Sequence, residues 1–271
     1  MTTLGELVDL ERWPIDALDD DAGRALVDDC RRQLAADGVC SLPEFLRTDA
    51  VDTSVRVADD LADLAWHADQ THNVYFTDLD DPATASLDLD HPRRRSIRSS
   101  QRAIAFDLLP GDSPVRQLYA AHELLRFLER VLGIAPLFRS ADPLDGVQVS
   151  HFRPDDELGW HFDNSEFSVT LMLREPDHGG HFEWHPSLRT DDDERVADVA
   201  AALDDLTPPR RLPTSPGTLA IFQGRHALHR VTPVSGSTTR LNAVFTFGTD
   251  PDMRLSPLTQ QLFYGRVVTT S

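Results

Sequence analysis

The chain has 271 residues, 40% of them apolar, and carries 45 acidic against 26 basic side chains for a formal charge of −19. Its apolar fraction suffices for a packed core and no run of about 18 apolar residues reads as a membrane span, while the acidic excess repels phosphate backbones and anionic lipid and so argues against nucleic-acid and membrane-surface partners. The length fits one domain, and the N-terminus lacks the basic start and apolar stretch of a secretory signal, so a soluble, cytoplasmic chain is expected; monomer and homodimer both stay open.

In chain order, residues 22–36 place Leu26, Val27, Cys30 and Leu34 at helical spacing, with Gly38 as a stop and a short strand over 39–42. Cys30 and Cys40 are too few for a disulfide framework and lack zinc-site spacing, which leaves them as reduced packing residues. Residues 78–92 are polar and punctuated by proline: a surface loop, with a lid over a site as the functional alternative. The cluster Arg93, Arg94, Arg95, Arg98 and Arg102 reads as a solvated loop offsetting the acidic surface, with anion binding as its alternative. Ser113 and Pro114 open one long helix through Leu118, Leu124, Leu125, Leu128 and Leu132, ended by Gly133.

After Pro143 the pattern changes to short β-like runs at 147–152, 167–173, 181–184, 218–222, 229–234 and 240–247. Gly179-Gly180, Ser235-Gly236 and residues 213–217 punctuate them, and 191–206 reads as an inserted helix. The chain is therefore expected to be mainly β with flanking helices: helical support over 1–142, an antiparallel barrel or sandwich over 143–250, and a C-terminal helix or tail over 251–271.

The chemistry concentrates in Gly159-Trp160-His161-Phe162-Asp163 and, much later, in residues 226–233. Residues two apart on an extended chain point to one side, so His161 and Asp163 can offer an imidazole nitrogen and a carboxylate oxygen to one ion. His229 from a distant strand would complete two histidines and one carboxylate, the set that binds Fe(II) on one face and leaves three positions open for a bidentate cosubstrate and O₂. His226 lies three residues earlier, an odd offset that turns it to the opposite face.

A hairpin about Ser235-Gly236 would pair Arg240 with Val231 through a two-residue loop or with Pro233 through a four-residue loop, and both registers put His229 and Arg240 on one face. In the shorter-loop register the two are diagonal neighbours at about 7 to 8 Å. That gap suits 2-oxoglutarate, whose keto-acid end would chelate iron while its far carboxylate takes a two-pronged hydrogen bond from the guanidinium. Asn242 falls opposite His229 in that register and Thr246 lies further along the same face, which makes Thr246 a cosubstrate candidate and Asn242 a substrate candidate.

The order H-x-D, distal His, then Arg eleven positions later is similar to the iron(II)/2-oxoglutarate-dependent dioxygenases. The stretch GWHFDNSEFSVTLMLREPDHGGHFEW and the later LHRVTPV resemble the branch of free-amino-acid hydroxylases related to the radical lysine halogenases, and the likeness covers roughly residues 147–247. It implies a double-stranded β-helix (jelly-roll, cupin-like) barrel, iron held by His161, Asp163 and His229, 2-oxoglutarate anchored by Arg240, and hydroxylation of an unactivated C–H bond in a small molecule, an amino acid or derivative, with release of succinate and CO₂. The halogenases of that branch carry glycine where this chain has Asp163, so the resemblance favours hydroxylation over chlorination.

Arg98 is a candidate anchor for a substrate carboxylate, and Asn164, beside a ligand, a candidate substrate contact. Trp160 and Phe162 are expected to pack behind the ligands. His181, Glu183 and His185 alternate on one strand and read as a polar outward face, with a second metal site as the rival. Two other functions compete: a cupin-like metal dioxygenase or isomerase without 2-oxoglutarate, which would not need Arg240, and a non-catalytic barrel that binds small molecules, which would tolerate an incomplete ligand set.

Overall fold

The computed structural model describes residues 2–77 and 82–268. The N-terminal half holds helices α1 (Leu4–Leu7), α2 (Asp21–Asp37), α3 (Thr48–Asp60), α4 (Pro82–Ala85), α5 (Pro114–Ala120) and α6 (His122–Leu132), together with strands β1 (Val39–Leu42), β2 (Trp66–His72), β3 (Ile97–Ile104) and β4 (Phe138–Arg139). Then come β5 (Val147–Phe152), β6 (Glu157–His161), β7 (Ser168–Arg174), β8 (His178–Gly179), β9 (Phe182–His185), α7 (Val196–Leu203), β10 (Arg210–Leu212), β11 (Leu219–Phe222), β12 (Leu228–Val231), β13 (Val234–Ser235), β14 (Arg240–Phe245), β15 (Phe247–Gly248) and α8 (Pro257–Tyr264).

Among the described residues eleven strands form one antiparallel sheet in the order β1-β11-β7-β14-β5-β3-β6-β12-β9-β10, with β2 on β3. Strand alternation divides its residues between two environments. Val149, Val169, Leu171, Leu219, Ile221, Leu241, Ala243 and Phe245 join the leucines of α2, α5 and α6 in the main hydrophobic cluster, while their immediate neighbours Gln148, Ser150, Thr170, Met172, Ala220, Asn242 and Val244 line a cavity of about 240 Å³ on the opposite face. The sheet is thus a curled wall with helices packed outside and a hollow inside, the mainly β, jelly-roll form expected.

Several elements differ from expectation in instructive ways. α2 ends at Gly38 in the left-handed region (φ 69°) and hands the chain to β1 at the sheet's edge. The single helix expected from Ser113 to Gly133 is two helices, because Ala121 is extended (φ −62°, ψ 130°). The Arg139 guanidinium makes that break tenable by donating to the carbonyls of Tyr119, Ala120 and Ala121 at 2.6, 2.9 and 2.8 Å, satisfying acceptors at the end of α5. The N-terminal half also supplies three strands that its composition did not announce, β2, β3 and β4. One of them, β3, lies between β5 and β6 with Ser99 and Ser100 buried, so the arginine cluster is not one loop: Arg93 and Arg94 sit in a 3₁₀ turn, and Arg98 and Arg102 on β3. Of the segment 78–92, residues 78–81 lie outside the described residues; α4 and that 3₁₀ turn account for part of the rest.

The hairpin expected between residues 229 and 247 does not form. β12 pairs with β6 and β9, placing His229 opposite His161 and Trp184. β14 pairs instead with β5 and β7, placing Arg240 opposite Phe152 and Asn242 opposite Ser150 and Met172. Between them β13 pairs with β8, and Gly180 N donates to the carbonyls of Thr232 and Pro233, so the chain crosses from one wall to the other instead of folding back on itself. His229 and Arg240 nonetheless face the same interior, since both line the cavity.

Candidate metal centre

His161 ends β6 and His229 lies on the neighbouring β12, and their directly opposed pairing brings the ring centroids to 4.1 Å. Asp163, two residues past His161, projects the same way; its Oδ1 is 3.5 Å from Nε2 of each histidine. One ligand atom from each residue falls within 4.8 Å of the others, and no second group of three such residues occurs among the described residues. His161 Nδ1 is 2.8 Å from Gly159 O and His229 Nδ1 is 2.9 Å from Ala227 O. A carbonyl accepts only, so each Nδ1 carries the proton and each Nε2 lone pair points toward the shared centre.

Both imidazoles are buried. Burial, reinforced by the neighbouring His229, lowers the His161 pKa and favours the neutral form a metal needs. Burial alone would raise the Asp163 carboxyl; the two neighbouring histidines, His229 foremost, outweigh it and hold the group well below the usual carboxylate range. Asp163 Oδ2, turned away from the histidines, accepts from Ser168 Oγ at 2.5 Å.

Arg240 sits in the same cavity, 3% exposed. Among the described residues its Nε has no hydrogen-bond partner, and its guanidinium carbon lies 5.3 Å over the Phe152 ring. Burial lowers its pKa to about 10, against which Glu175 provides a weaker opposing charge, so the group stays cationic at neutral pH. A buried, under-satisfied guanidinium calls for an anion. The donor set and this cation together fit iron(II) chelated by a dicarboxylate.

Of the other candidates, Asn242 is buried and lines the cavity. Thr246 does not: β14 ends at Phe245, and Thr246 bonds through its backbone to Gly146 and Tyr119 and through its hydroxyl to Asp145. Arg98 turns outward, held by Asp69 at 3.0 and 3.1 Å and by the Asp155 carbonyl at 3.2 Å, while Gln101, an odd offset along the same strand, lines the cavity instead. Asn164 is exposed in a separate polar cleft with Arg189, Asp191, Glu194 and Arg225 on the far side of Asp163. His226 points to Asp191 Oδ1, 3.1 Å away. His181, Glu183 and His185 do not converge, since Glu183 takes Arg230 Nε at 2.9 Å and His185 packs on Trp160. Phe162 backs the ligands under the Arg189 guanidinium.

Sequence reasoning missed three neighbours of the centre. Phe76, at φ 52°, sets its ring 5.3 Å from that of His161 at 63° and lines the cavity. Ser168 shares the inward parity of Thr170 and Met172, a signal that could have found it. Gly224, beside the Asp163 carboxylate, belongs to a loop with no periodicity to read.

The Halogenase D family model matches residues 23–263. Among solved structures, AviO1 from Streptomyces viridochromogenes Tue57 is 19% identical with a TM-score of 0.53, over 86% of this chain and 97% of that one. SnoN, described as a non-heme alpha ketoglutarate dependent epimerase from nogalamycin biosynthesis, is 14% identical with a TM-score of 0.54 over 83% of each chain. Its structure with Fe3+, alpha ketoglutarate and nogalamycin RO aligns with the same score. No curated protein matches the chain. The family match spans nearly the whole molecule and the likenesses agree on its architecture: the chain belongs to the Halogenase D family and is an enzyme with the 2-oxoglutarate/iron(II) oxygenase fold.

Proposed function

We propose that this enzyme hydroxylates an unactivated C–H bond of a small molecule, using iron(II) held by His161, Asp163 and His229 and 2-oxoglutarate anchored by Arg240. The observation that carries the reading is the placement of Asp163 Oδ1 at 3.5 Å from both imidazole Nε2 atoms. The protein itself thereby fills the third ligand position, which the glycine-bearing halogenases of the resembling branch leave to halide. Iron(II) with 2-oxoglutarate supplies the activation of O₂ that turns C–H into C–OH as 2-oxoglutarate becomes succinate and CO₂.

The chain's own residues do the rest. Gly159 and Ala227 carbonyls orient the two imidazoles, Arg240 pairs with the far carboxylate, and Phe152, Phe182 and Phe222 help keep water from the cavity. Arg240, buried with its Nε unpartnered among the described residues, also weighs against a cupin-like enzyme without cosubstrate, which would bury this cation to no purpose.

The lining also bears on the substrate. Apart from the three ligands and Arg240, the cavity's described residues are neutral, among them Gln101, Gln148, Val244 and Phe263. A free amino acid would bring an ammonium and a carboxylate that find no counter-charge there, and burying either unpaired costs several kcal/mol. The cavity suits an uncharged reacting end: an alkyl chain whose charged head stays outside, or a derivative lacking those charges.

The test is incubation with Fe(II), 2-oxoglutarate, O₂ and chloride, following succinate and the masses of products from a panel of uncharged, alkyl-bearing small molecules and amino acids. Iron-dependent succinate and products heavier by one oxygen are expected. Chlorinated products, or no iron-dependent succinate, would overturn the reading.

A further inference from the structure

The turn between β11 and β12 touches two of the three ligands. At one end Ala227 O holds His229 Nδ1; at the other, Gly224 O accepts the backbone N–H of Asp163 at 3.0 Å, fixing the two chain segments side by side. Gln223 O, accepting from both His226 N and Ala227 N at 3.1 Å, closes the turn. Against this fixed backbone the Asp163 side chain has little freedom. A Cβ built on Gly224 would lie 2.6 Å from Asp163 Cγ and 2.9 Å from its Cβ, and nearer still to Oδ2. Those separations are far inside van der Waals contact, and the obstructing atoms belong to a short side chain whose other oxygen faces two histidines. Gly224 has no positive φ, so its backbone conformation does not demand glycine. Space for the carboxylate does.

The geometry points to Gly224 as a positioning residue that, with Ser168, forms a seat committing the third ligand position to a carboxylate. Ser168 Oγ donates to Oδ2 from one side and the bare Cα of Gly224 leaves the other side clear, so Oδ1 alone turns to the histidines. The seat is a specificity device: in a family whose halogenases dispense with this carboxylate, it keeps the position filled. A methyl at residue 224 should displace the carboxylate, and should be harmless once the carboxylate is gone. This coupling separates a seat from a general packing requirement.

The inference rests on the iron reading above, and a cycle of four proteins separates the two: parent, Gly224→Ala, Asp163→Gly and the double variant. Each is titrated with Mn(II), a divalent probe that needs no turnover, and melted without metal. Gly224→Ala is expected to weaken Mn(II) binding by about tenfold or more in the parent, the scale of losing a ligand's supporting partner. In the Asp163→Gly background it should change affinity by less than about twofold and leave the melting temperature unmoved, because the side chain it obstructs is then absent and the two changes couple instead of adding. Ser168→Ala should give a smaller loss of the same sign, again only where Asp163 is present.

Should Gly224→Ala fail to fold, a folded double variant supports the seat equally well, since removing the carboxylate then relieves the conflict. Equal losses in both backgrounds, no loss in the parent, or a double variant that fails to fold while Asp163→Gly folds would each overturn the seat. A parent that binds no Mn(II) would instead count against the metal reading, and the melting cycle would still test the seat.

Discussion

Leu241 and Asn242 are neighbours on β14, both buried, and live in different chemistries. Leu241, with Ala243 and Phe245, faces the helices in a close-packed apolar cluster; Arg240, Asn242 and Val244 face the cavity, where Arg240 Nε has no partner among the described residues. One face of the strand holds the fold together, and the other keeps polar atoms poised for a ligand at some expense of stability. Period-two alternation assigns both jobs to one strand, so substitutions one residue apart should have opposite signatures.

The sharpest break of that division is loss of a ligand. His229→Ala should lower iron-dependent succinate formation by about a hundredfold or more, whereas His226→Ala, whose ring pairs with Asp191 outside the cavity, should keep most activity. If succinate assays gave the reverse, the centre would be misplaced.

Next in size, Leu241→Ala should lower unfolding free energy by about 2 to 5 kcal/mol, the cost of emptying a packed core position, and leave Mn(II) affinity nearly unchanged. Denaturant melts and a metal titration check the pair, and a variant of unaltered stability with weakened metal binding would erase the distinction between the faces.

A smaller effect tests a half-buried carboxyl outside the cavity that does have partners. Burial, and next to it the Asp142 charge, raises the Asp145 pKa to about 6 although Tyr264 and Thr246 donate to it. Its folded pKa lies above the unfolded value, so the folded state binds the proton more tightly, and stability is highest below about pH 4 and declines as pH rises toward 6. From pH 4 to 6 the parent should lose about 2 kcal/mol relative to Asp145→Asn, since each pKa unit is worth about 1.4 kcal/mol and the ends of the titration fall outside that window. Parallel stability curves would contradict it.

The same division explains what could be read in the sequence. β7, β11 and β14 were legible because their outward positions are Val, Leu, Ile, Ala and Phe at period two. β3 was not: its buried positions include Ser99 and Ser100, satisfied by His72, Gly159 N and Asp156 from elsewhere in the chain. The break at Ala121 was hidden because its caps come from Arg139, 18 residues on. The grouping of His161, Asp163 and His229 was legible through local spacing and parity. Arg240 was singled out through a hairpin that does not form; it faces the cavity all the same because opposite walls of a barrel share one interior. Arg98 and Thr246 were misplaced where that logic fails, one on the outward side of β3 and one just beyond the end of β14. Gly224 gave no signal, since its requirement arises only when two loops meet.

The central claim is that one cavity holds both a metal and an anion-seeking arginine. Its most direct test is a titration of the iron(II)-loaded parent and Arg240→Ala proteins with 2-oxoglutarate under nitrogen, followed by the weak visible charge-transfer band of the chelate. The parent should develop the band and saturate, while Arg240→Ala should bind Fe(II) as before but need about 30-fold or more 2-oxoglutarate, the equivalent of losing a buried charge pair. A parent with no band, or an Arg240→Ala protein with undiminished 2-oxoglutarate affinity, would contradict the account.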